Sequence, residues 1–181
     1  MLNDLFQEAW KALNVAASEK EHPFKCCTLA TIGKNVSVRQ RTVVLRGITE
    51  NKGLLFYTDL RSNKIKQIQH NPKANSLFYD PKTQLQLVFK GTILIHTNDE
   101  AWEEHKDSID GKAVNNYNTL LPPGKPIKNP LRVERIDKLH FGLLEFMPTR
   151  MEYLKLKQDS NHLRARFRLD EGIWKQTFLV P

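Results

Sequence analysis

The chain has 181 residues, of which 40% are hydrophobic and 27% charged, as in a soluble globular protein long enough to bury a core. No apolar run approaches the roughly 20 residues that span a bilayer, and no basic signal-peptide start is present, so we expect a cytoplasmic protein without membrane contact. The formal net charge of +8 comes from dispersed basic residues. Dispersed cations favour a phosphate pocket or a solvated surface over a nucleic-acid groove.

The first predicted element is an amphipathic helix. Its apolar residues recur at steps of three and four, which predicts one buried face: Leu2, Leu5, Phe6, Ala9, Trp10, Leu13 and Ala16. The helix ends before Pro23, since proline cannot continue it. Beyond it lie the only two cysteines, Cys26 and Cys27, which we expect to be buried reduced thiols because neighbouring cysteines in a strand rarely bridge.

From Cys26 the period of the apolar residues changes to two. This alternation predicts a hairpin of CCTLATI and VSVRQRTVVLRGI, followed by the strand GLLFYT. A short helix is predicted from Ser62 to about His70, and the strands ANSLFY and TQLQLVFKGTILIH come next. Asn98 or Thr97 is expected to cap a further short helix, DEAWEEHK.

The segment from Asp107 to Pro130 has no clear period, and loops of this length are usually functional or disordered. Three strands follow, HFGLLEFMP, MEYLKLK and HLRARFRL, with a turn into WKQTFLV. The pattern of about eight antiparallel strands with short helices predicts a mainly β (α+β) fold, a closed or split β-barrel with helices at its ends. We expect one domain over residues 1–181.

An anion site is suggested by Arg61-Ser62-Asn63-Lys64. Ser62 is a good N-cap, so backbone amides and the helix dipole at this point favour an anion. Lys64 is otherwise slightly unfavourable in a first turn, and a bound phosphate explains it. A plain cap beside a solvated lysine remains the alternative.

A second cationic feature lies on the long strand. Arg39 and Arg41 share a face with Val43 and Leu45, and Arg46 lies on the other face. Guanidinium groups next to an apolar strand centre are costly unless they meet an anion, which they bind in bidentate fashion. Solvated arginines on an edge strand remain the alternative.

Polar groups for a flat heterocycle are available on neighbouring strands. Thr58 ends a strand, and Gln86 presents an amide from the same face as Gln84. Polar residues on the wet face of a sheet remain the alternative for Gln86. The histidines and cysteines show no metal-ligand spacing, so we expect no metal site.

Taken together, these motifs resemble the pyridoxamine 5′-phosphate oxidase-like superfamily of FMN-binding split barrels. The resemblance covers almost the whole chain. The family's ordered motifs are matched by Arg41 to Arg46, Tyr57-Thr58, Ser62-Asn63-Lys64 and Gln86 to Gly91. The resemblance implies an antiparallel split β-barrel with an N-terminal helix and short peripheral helices, forming a homodimer with FMN at its interface.

The resemblance also implies roles for individual residues. The FMN phosphate would lie near Arg41, Ser62, Asn63 and Lys64. The flavin would lie along the backbone of Thr42, Val43 and Val44. Its polar edge would meet Tyr57, Thr58 and Gln86, and either Gln86 or Arg166 would serve the cofactor of the partner subunit.

The C-terminal motif departs from the family. Pyridoxamine 5′-phosphate oxidases carry R-L-H-D-R-F, where this chain reads His162-Leu163-Arg164-Ala165-Arg166-Phe167. The first arginine and the histidine of the motif, which hold the substrate in the family, are exchanged or displaced. The resemblance therefore favours a different small-molecule substrate, phosphorylated or carboxylated, with Arg46, His162 and Arg164 as substrate-binding candidates and no assigned catalytic residue.

The sequence thus predicts an FMN-dependent oxidoreductase and leaves alternatives open. One alternative is a genuine pyridoxamine or pyridoxine 5′-phosphate oxidase, and another is a non-catalytic flavin- or haem-binding protein. An RNA-binding barrel is a further alternative, with Trp102 and Tyr117 as stacking residues.

Overall fold

A computed structural model describes residues 1–157 and 161–181. Over these residues the chain forms three α-helices: α1 Leu2–Ser18, α2 Asn63–His70 and α3 Glu100–Lys106. The strands are β1 Cys26–Ile32, β2 Val38–Ile48, β3 Leu54–Asp59, β4 Lys73–Asp80, β5 Leu85–His96, β6 Phe141–Lys155, β7 Leu163–Asp170 and β8 Ile173–Leu179.

The strands form one antiparallel sheet in the order β3-β2-β1-β4-β5-β6-β7-β8. A further pairing of β3 with the first part of β6 closes six of these strands into a barrel. The second part of β6 pairs with β7, so β7 and β8 extend the sheet beyond the barrel. The predicted mainly β split-barrel fold with peripheral helices is confirmed.

Strand β6 is continuous through Pro148, so the prediction of two separate strands on either side of this proline was wrong. The chain runs straight through Pro148 because the ladder to β5 is irregular there: Gly91 pairs with Pro148 and Lys90 with Arg150, leaving Thr149 as an extra residue. Proline lacks an N–H, so it is tolerated at such a bulge. Gly91 is required at this point, because a Cβ would collide with the backbone of Met147 and Pro148.

Helix α1 buries the predicted face against the barrel and the extension together. Leu5, Phe6, Ala9, Trp10, Leu13 and Ala16 are all buried. The ring of Phe6 lies 5.1 Å from that of Phe167 on β7 and 5.5 Å from that of Trp174 on β8. The Trp10 ring lies 5.7 Å from that of Phe89 on β5, so the first helix joins the last two strands to the barrel core.

Two local expectations were wrong. The N-cap of α3 is Asp99, whose side chain accepts a hydrogen bond from the Trp102 amide, rather than Asn98 or Thr97. Cys27 is buried but Cys26 is exposed, because strand alternation turns adjacent side chains to opposite faces. Burial raises the pKa of the Cys27 thiol.

The segment between α3 and β6 has little regular structure. It contains a 3₁₀ helix at Gly111–Asn116 and a single bridge between Thr119 and Arg135. The Leu120 amide donates to the Glu134 carbonyl at 2.9 Å, which folds the segment back on itself. Among the described residues, no helix is long and apolar enough to cross a membrane.

Candidate functional site

Arg41 lies on the interior side of β2, where its guanidinium meets polar groups from two other elements. Nη1 donates to the Leu29 carbonyl at 3.1 Å and to Thr31 Oγ1 at 2.7 Å. Nη2 donates to Gln67 Oε1 at 2.9 Å, and Thr31 Oγ1 donates to the same oxygen at 2.6 Å. In the described residues these bonds occupy three of the five N–H donors that a guanidinium has, and Nε–H with one Nη2–H remain for a ligand.

The start of α2 forms the second half of this site. Ser62 is the N-cap as predicted, but its hydroxyl makes no capping bond and lies 3.3 Å from Thr58 Oγ1 instead. Lys64 Nζ donates to Thr58 Oγ1 at 3.0 Å and to Ser62 Oγ at 3.3 Å. The first amides of α2 therefore lack a side-chain cap beside a lysine ammonium, as expected of a helix start that binds an anion.

The two cations of the site influence each other. Burial, and next to it the charge of Arg41, lowers the pKa of Lys64, while Asp59 acts in the opposite direction. Burial also lowers the pKa of Arg41. Over the described residues neither cation forms an ion pair with a carboxylate, so the site has positive charge without its complement. A bound phosphate supplies that complement, and the residues therefore fit the phosphate end of FMN.

The nearby carboxylate of Asp59 is already engaged. It is buried, and Arg61 binds it through Nε to Oδ1 at 3.1 Å and Nη2 to Oδ2 at 2.7 Å. The same guanidinium donates to the Leu120 carbonyl at 3.1 Å and to Thr119 Oγ1 at 3.2 Å. Arg61 thus anchors the long segment before β6 to the turn that carries the anion site.

A second cluster of polar side chains surrounds Tyr57. The guanidinium carbon of Arg46 lies 5.1 Å from the centroid of the Tyr57 ring. The Tyr57 hydroxyl lies 2.8 Å from His105 Nδ1 and 3.1 Å from Ser108 Oγ. Burial raises the pKa of Tyr117, and the positive charge of Arg46 opposes this effect. Arg46 therefore lies over the Tyr57 ring, near enough to Tyr117 to influence its pKa.

Three further predicted residues lie on the outer face of the sheet: Gln86, Arg164 and Arg166. Gln86 pairs with Leu154 on β6, and Leu154 pairs with Arg164 on β7. Arg166 lies two residues further along β7, on the same face as Arg164. His162 lies apart from these, where its Nδ1 accepts a hydrogen bond from the Lys157 amide at 3.0 Å.

The structure therefore separates the predicted site residues into two faces within one chain. Arg41, Thr58, Ser62 and Lys64 come together at the end of β3 and the start of α2. Over the described part of the chain, no hydrogen bond or ion pair joins the outer-face group, Gln86, Arg164 and Arg166, to them. On β2, Val43 is buried, Thr42 is exposed and Val44 is half-buried, while Asn63 is exposed at the first position of α2.

Two residues of the site were missed by sequence analysis, Thr31 and Gln67. Gln67 lies three positions after Lys64 in α2, and residues with that spacing share a helix face. That spacing could have identified Gln67 as a neighbour of Lys64 from the sequence. Thr31 gives no comparable signal, since only the pairing of β1 with β2 brings it next to Arg41.

Trp102 and Tyr117, the candidate stacking residues of the RNA-binding alternative, both pack against other side chains of the protein. Tyr117 is buried, and Trp102 packs on Phe141 with a ring separation of 6.2 Å. The Trp102 indole N–H also donates to the Phe141 carbonyl at 2.9 Å. Both rings are part of a small second hydrophobic cluster around Phe141 rather than a platform for bases.

Fold and site together define a class of protein: an antiparallel split barrel with a candidate anion site where β3 meets α2. Residues 7–97 match the family described as "Pyridoxamine 5'-phosphate oxidase, FMN-binding domain". That match spans half of the chain and includes the whole anion site. The chain belongs to this family.

Individual relatives agree with this assignment. The chain is 29% identical to a pyridoxine/pyridoxamine 5′-phosphate oxidase of Aliarcobacter butzleri, covering 99% of this chain and 92% of the relative. It is 27% identical to the protein of that name from Mannheimia succiniciproducens, covering 99% and 90%. Among solved structures, a pyridoxamine 5′-phosphate oxidase-related, FMN-binding protein of Nostoc punctiforme superimposes with a TM-score of 0.77 at 23% identity, covering 97% of each chain.

Proposed function

We propose that this protein is an FMN-dependent oxidoreductase whose cofactor phosphate binds between Arg41 and the start of α2. The observation that carries the proposal is the pair of half-buried cations, Arg41 and Lys64, with no carboxylate bound to either in the described part of the chain. The family description and the Nostoc punctiforme structure, both named for FMN binding, support this choice of anion.

The phosphate end of the site is preorganised. Thr31, Gln67 and the Leu29 carbonyl hold three N–H donors of Arg41, so the guanidinium loses little freedom when a ligand arrives. Lys64 and the uncapped amides of α2 face the same anion from the other side. A bidentate guanidinium, an ammonium and a helix N-terminus are three recurrent phosphate-binding groups.

The ring end of the cofactor favours a homodimer. Gln86 and Arg166 lie on the outer face of the sheet, whereas Arg41 lies on the interior side of β2. A site that uses both groups is completed by a second copy of the chain. The outer face also exposes Leu77 and Tyr79 on β4, at 38% and 47%, and burying such apolar surface stabilises an interface.

FMN, when bound, supplies the redox chemistry, since its ring accepts and returns a hydride. The residues of this chain hold the cofactor and position the substrate. Arg46 is the strongest substrate-binding candidate because its guanidinium lies over the Tyr57 ring, 5.1 Å from the ring centroid. A cation there suits a phosphorylated or carboxylated substrate.

The altered C-terminal motif favours a substrate other than pyridoxamine 5′-phosphate. Arg164 donates to Glu152 Oε2 at 3.2 Å, so it is already part of an ion pair. His162 is used as an acceptor by the Lys157 amide. Pyridoxamine or pyridoxine 5′-phosphate oxidation is the second candidate, favoured by the names of the Aliarcobacter and Mannheimia relatives.

The first experiment is the visible spectrum of the purified protein before and after addition of FMN and desalting. Retained flavin absorbance at a stoichiometric level supports the proposal, and the same holoprotein is then assayed with pyridoxamine 5′-phosphate. A haem-like Soret band, or failure to hold added FMN, contradicts it.

Variants test the position of the phosphate. Lys64→Ala and Arg41→Ala should each weaken FMN binding by at least tenfold, about 1.4 kcal/mol. Lys66→Ala is the matched control, because Lys66 is exposed on the same helix. Unchanged affinity in both site variants contradicts the assigned phosphate position.

A further inference from the structure

Four cations form a row across the outer face of the sheet. Lys90 on β5 pairs with Arg150 on β6, Arg150 with Arg168 on β7, and Arg168 with Lys175 on β8. All four point to the same face, because their chain neighbours Phe89, Met151, Phe167 and Trp174 pack in the core. Like charges directly opposite each other in a sheet are destabilising, so this row calls for a complementary anion.

The carboxylates nearby do not neutralise the row. Glu152 binds Arg150 and also Arg164, so its charge is shared. Asp170 binds Lys175 and lies 3.5 Å from Arg168 Nη2. Arg166, next to the row, takes part in no ion pair within the described ranges 1–157 and 161–181.

A cavity lies at this row. Its volume is about 350 Å³, and its lining consists of Arg150, Arg166, Arg168, Lys175, Gln176 and Thr177. Four cations therefore face the cavity: Arg150, Arg166, Arg168 and Lys175. In the part of the chain that the structure describes, only the carboxylates of Glu152 and Asp170 bind any of them. The buried Nε of Arg150 has no hydrogen-bond partner among the described residues. An unpaired buried donor is unfavourable, and an anion in the cavity would satisfy it.

We propose that this cavity is a binding site for a small polyanion of the phosphate class, separate from the anion site at α2. Neighbouring strands lie about 4.8 Å apart, so the backbones of Arg150 and Lys175 are roughly 10 Å apart. A single phosphate reaches the side chains of two neighbouring strands, whereas a diphosphate reaches all three. The lining offers guanidinium forks and hydrogen-bond donors with little apolar surface, which selects for charge rather than for a large ring system.

The same chemistry has two possible sources: an independent phosphorylated ligand, or the phosphate arm of a flavin nucleotide bound by a second copy. We assign the cavity to an independent ligand, because Arg41 and Lys64 already provide the proposed phosphate site in each chain. Of the cavity lining, Arg166 alone is also assigned to the proposed ring end of the cofactor, and Arg150, Arg168 and Lys175 are not. The inference does not depend on the proposed redox activity.

The test uses inorganic pyrophosphate as the probe, titrated calorimetrically into the FMN-loaded protein at constant ionic strength. Loading with FMN blocks the α2 site. Should the protein hold no FMN, the titration is made with the Lys64→Ala variant, in which the α2 site is disabled. The two proposals can therefore fail separately.

The decisive variant is Arg168→Gln with Lys175→Gln, two side chains that are 62% and 63% exposed and can be changed without disturbing the core. The control is Lys20→Gln with Lys34→Gln, which removes the same charge from exposed positions away from the row. We expect pyrophosphate to bind the parent and the control alike, and to bind the decisive variant at least tenfold more weakly, with FMN affinity within twofold in all three.

Three outcomes overturn the inference. The first is the absence of measurable pyrophosphate binding by the parent protein. The second is a tenfold loss of FMN affinity in the decisive variant, which would assign the row to the cofactor of a partner. The third is a change in oligomeric mass in that variant, measured by light scattering, with unchanged pyrophosphate affinity, which would assign the row to a protein interface.

Discussion

The guanidinium of Arg41 donates to Gln67 Oε1 at 2.9 Å and so joins β2 to α2, the two elements that carry the cations of the anion site. Gln67 also accepts from Thr31, which already bonds Arg41. The three side chains form a closed set of hydrogen bonds. Gln67 therefore fixes the guanidinium without touching the proposed phosphate.

Gln67→Leu should weaken FMN binding by about tenfold through misplacement of Arg41. It should also destabilise the protein by about 1–3 kcal/mol, because the donors of Arg41 and Thr31 lose a buried acceptor. Fluorescence titration with FMN and urea unfolding measure the two effects. Gln69→Leu, on the exposed side of α2, is the control. Equal behaviour of the two variants would show that Gln67 has no part in the site.

The affinity for FMN should fall as the pH rises through the lowered pKa of Lys64. Burial brings this pKa below the ordinary value of 10.5, and only the charged ammonium attracts the phosphate. The phosphate itself remains a dianion above about pH 7, since its second pKa is about 6. Dissociation constants measured between pH 7 and 10 should therefore rise in the parent protein. They should stay nearly level in Lys64→Arg, whose side chain remains charged.

The same group makes a contribution of opposite sign to folding stability. The folded state lowers the pKa of Lys64, so the unfolded chain binds more protons between the folded and unfolded values. The contribution of Lys64 to the free energy of unfolding of the ligand-free protein therefore increases as pH rises through that window. Urea unfolding of the parent and of Lys64→Met across the window isolates the contribution, and a difference that does not change with pH would contradict it.

Breaking the Asp59–Arg61 pair should be costly. The Asp59 side chain is 3% exposed, and removal of one partner from a buried pair costs about 3–5 kcal/mol. Arg61→Met should show this loss in chemical unfolding, and Asp59→Asn with Arg61→Met should recover part of it. The single variant should also release the segment at Thr119 and Leu120, which limited proteolysis detects. Resistance equal to that of the parent would show that other contacts hold the segment.

Gly91→Ala should destabilise the barrel by about 3 kcal/mol. The new Cβ would meet the backbone of Met147 and Pro148, which cannot move without breaking the β5–β6 ladder. At Gly47 the nearest atom is a side-chain methyl carbon of Leu55 at 3.3 Å, which can shift. Thermal unfolding should therefore show a clearly smaller loss for Gly47→Ala, and equal losses would argue against a backbone collision at Gly91.

Local patterns predicted much of this fold, because the determinants were close in sequence. The spacing of Leu5, Ala9 and Leu13 is sufficient to predict the buried face of α1. Lys64 and Arg41 were each suggested as anion-binding residues because each is anomalous in its own element, and the family resemblance assigned both to one phosphate. Ncap preferences could also have predicted Asp99 as the helix cap, since aspartate caps helices as well as asparagine does.

Other features depend on contacts between residues far apart in the sequence, and local sequence patterns do not predict such contacts. The continuity of β6 through Pro148 depends on Gly91, more than fifty residues earlier, which leaves room on β5 for the β6 backbone beside the extra residue Thr149. The cation row could not be predicted either, because register alone aligns Lys90, Arg150, Arg168 and Lys175. Pairing register across four strands is a global property of the folded chain.

The packing of Phe6 on Phe167 and Trp174 has a consequence for biosynthesis. Helix α1 leaves the ribosome long before β7 and β8 exist. Because synthesis proceeds at about 5–20 residues per second, the apolar face of the helix lacks these partners for on the order of ten seconds or more. During that interval Phe6 and Trp10 are exposed or covered by other surfaces. Nascent chains of this protein should therefore bind chaperones through their first helix, and release from them should coincide with completion of the final hairpin.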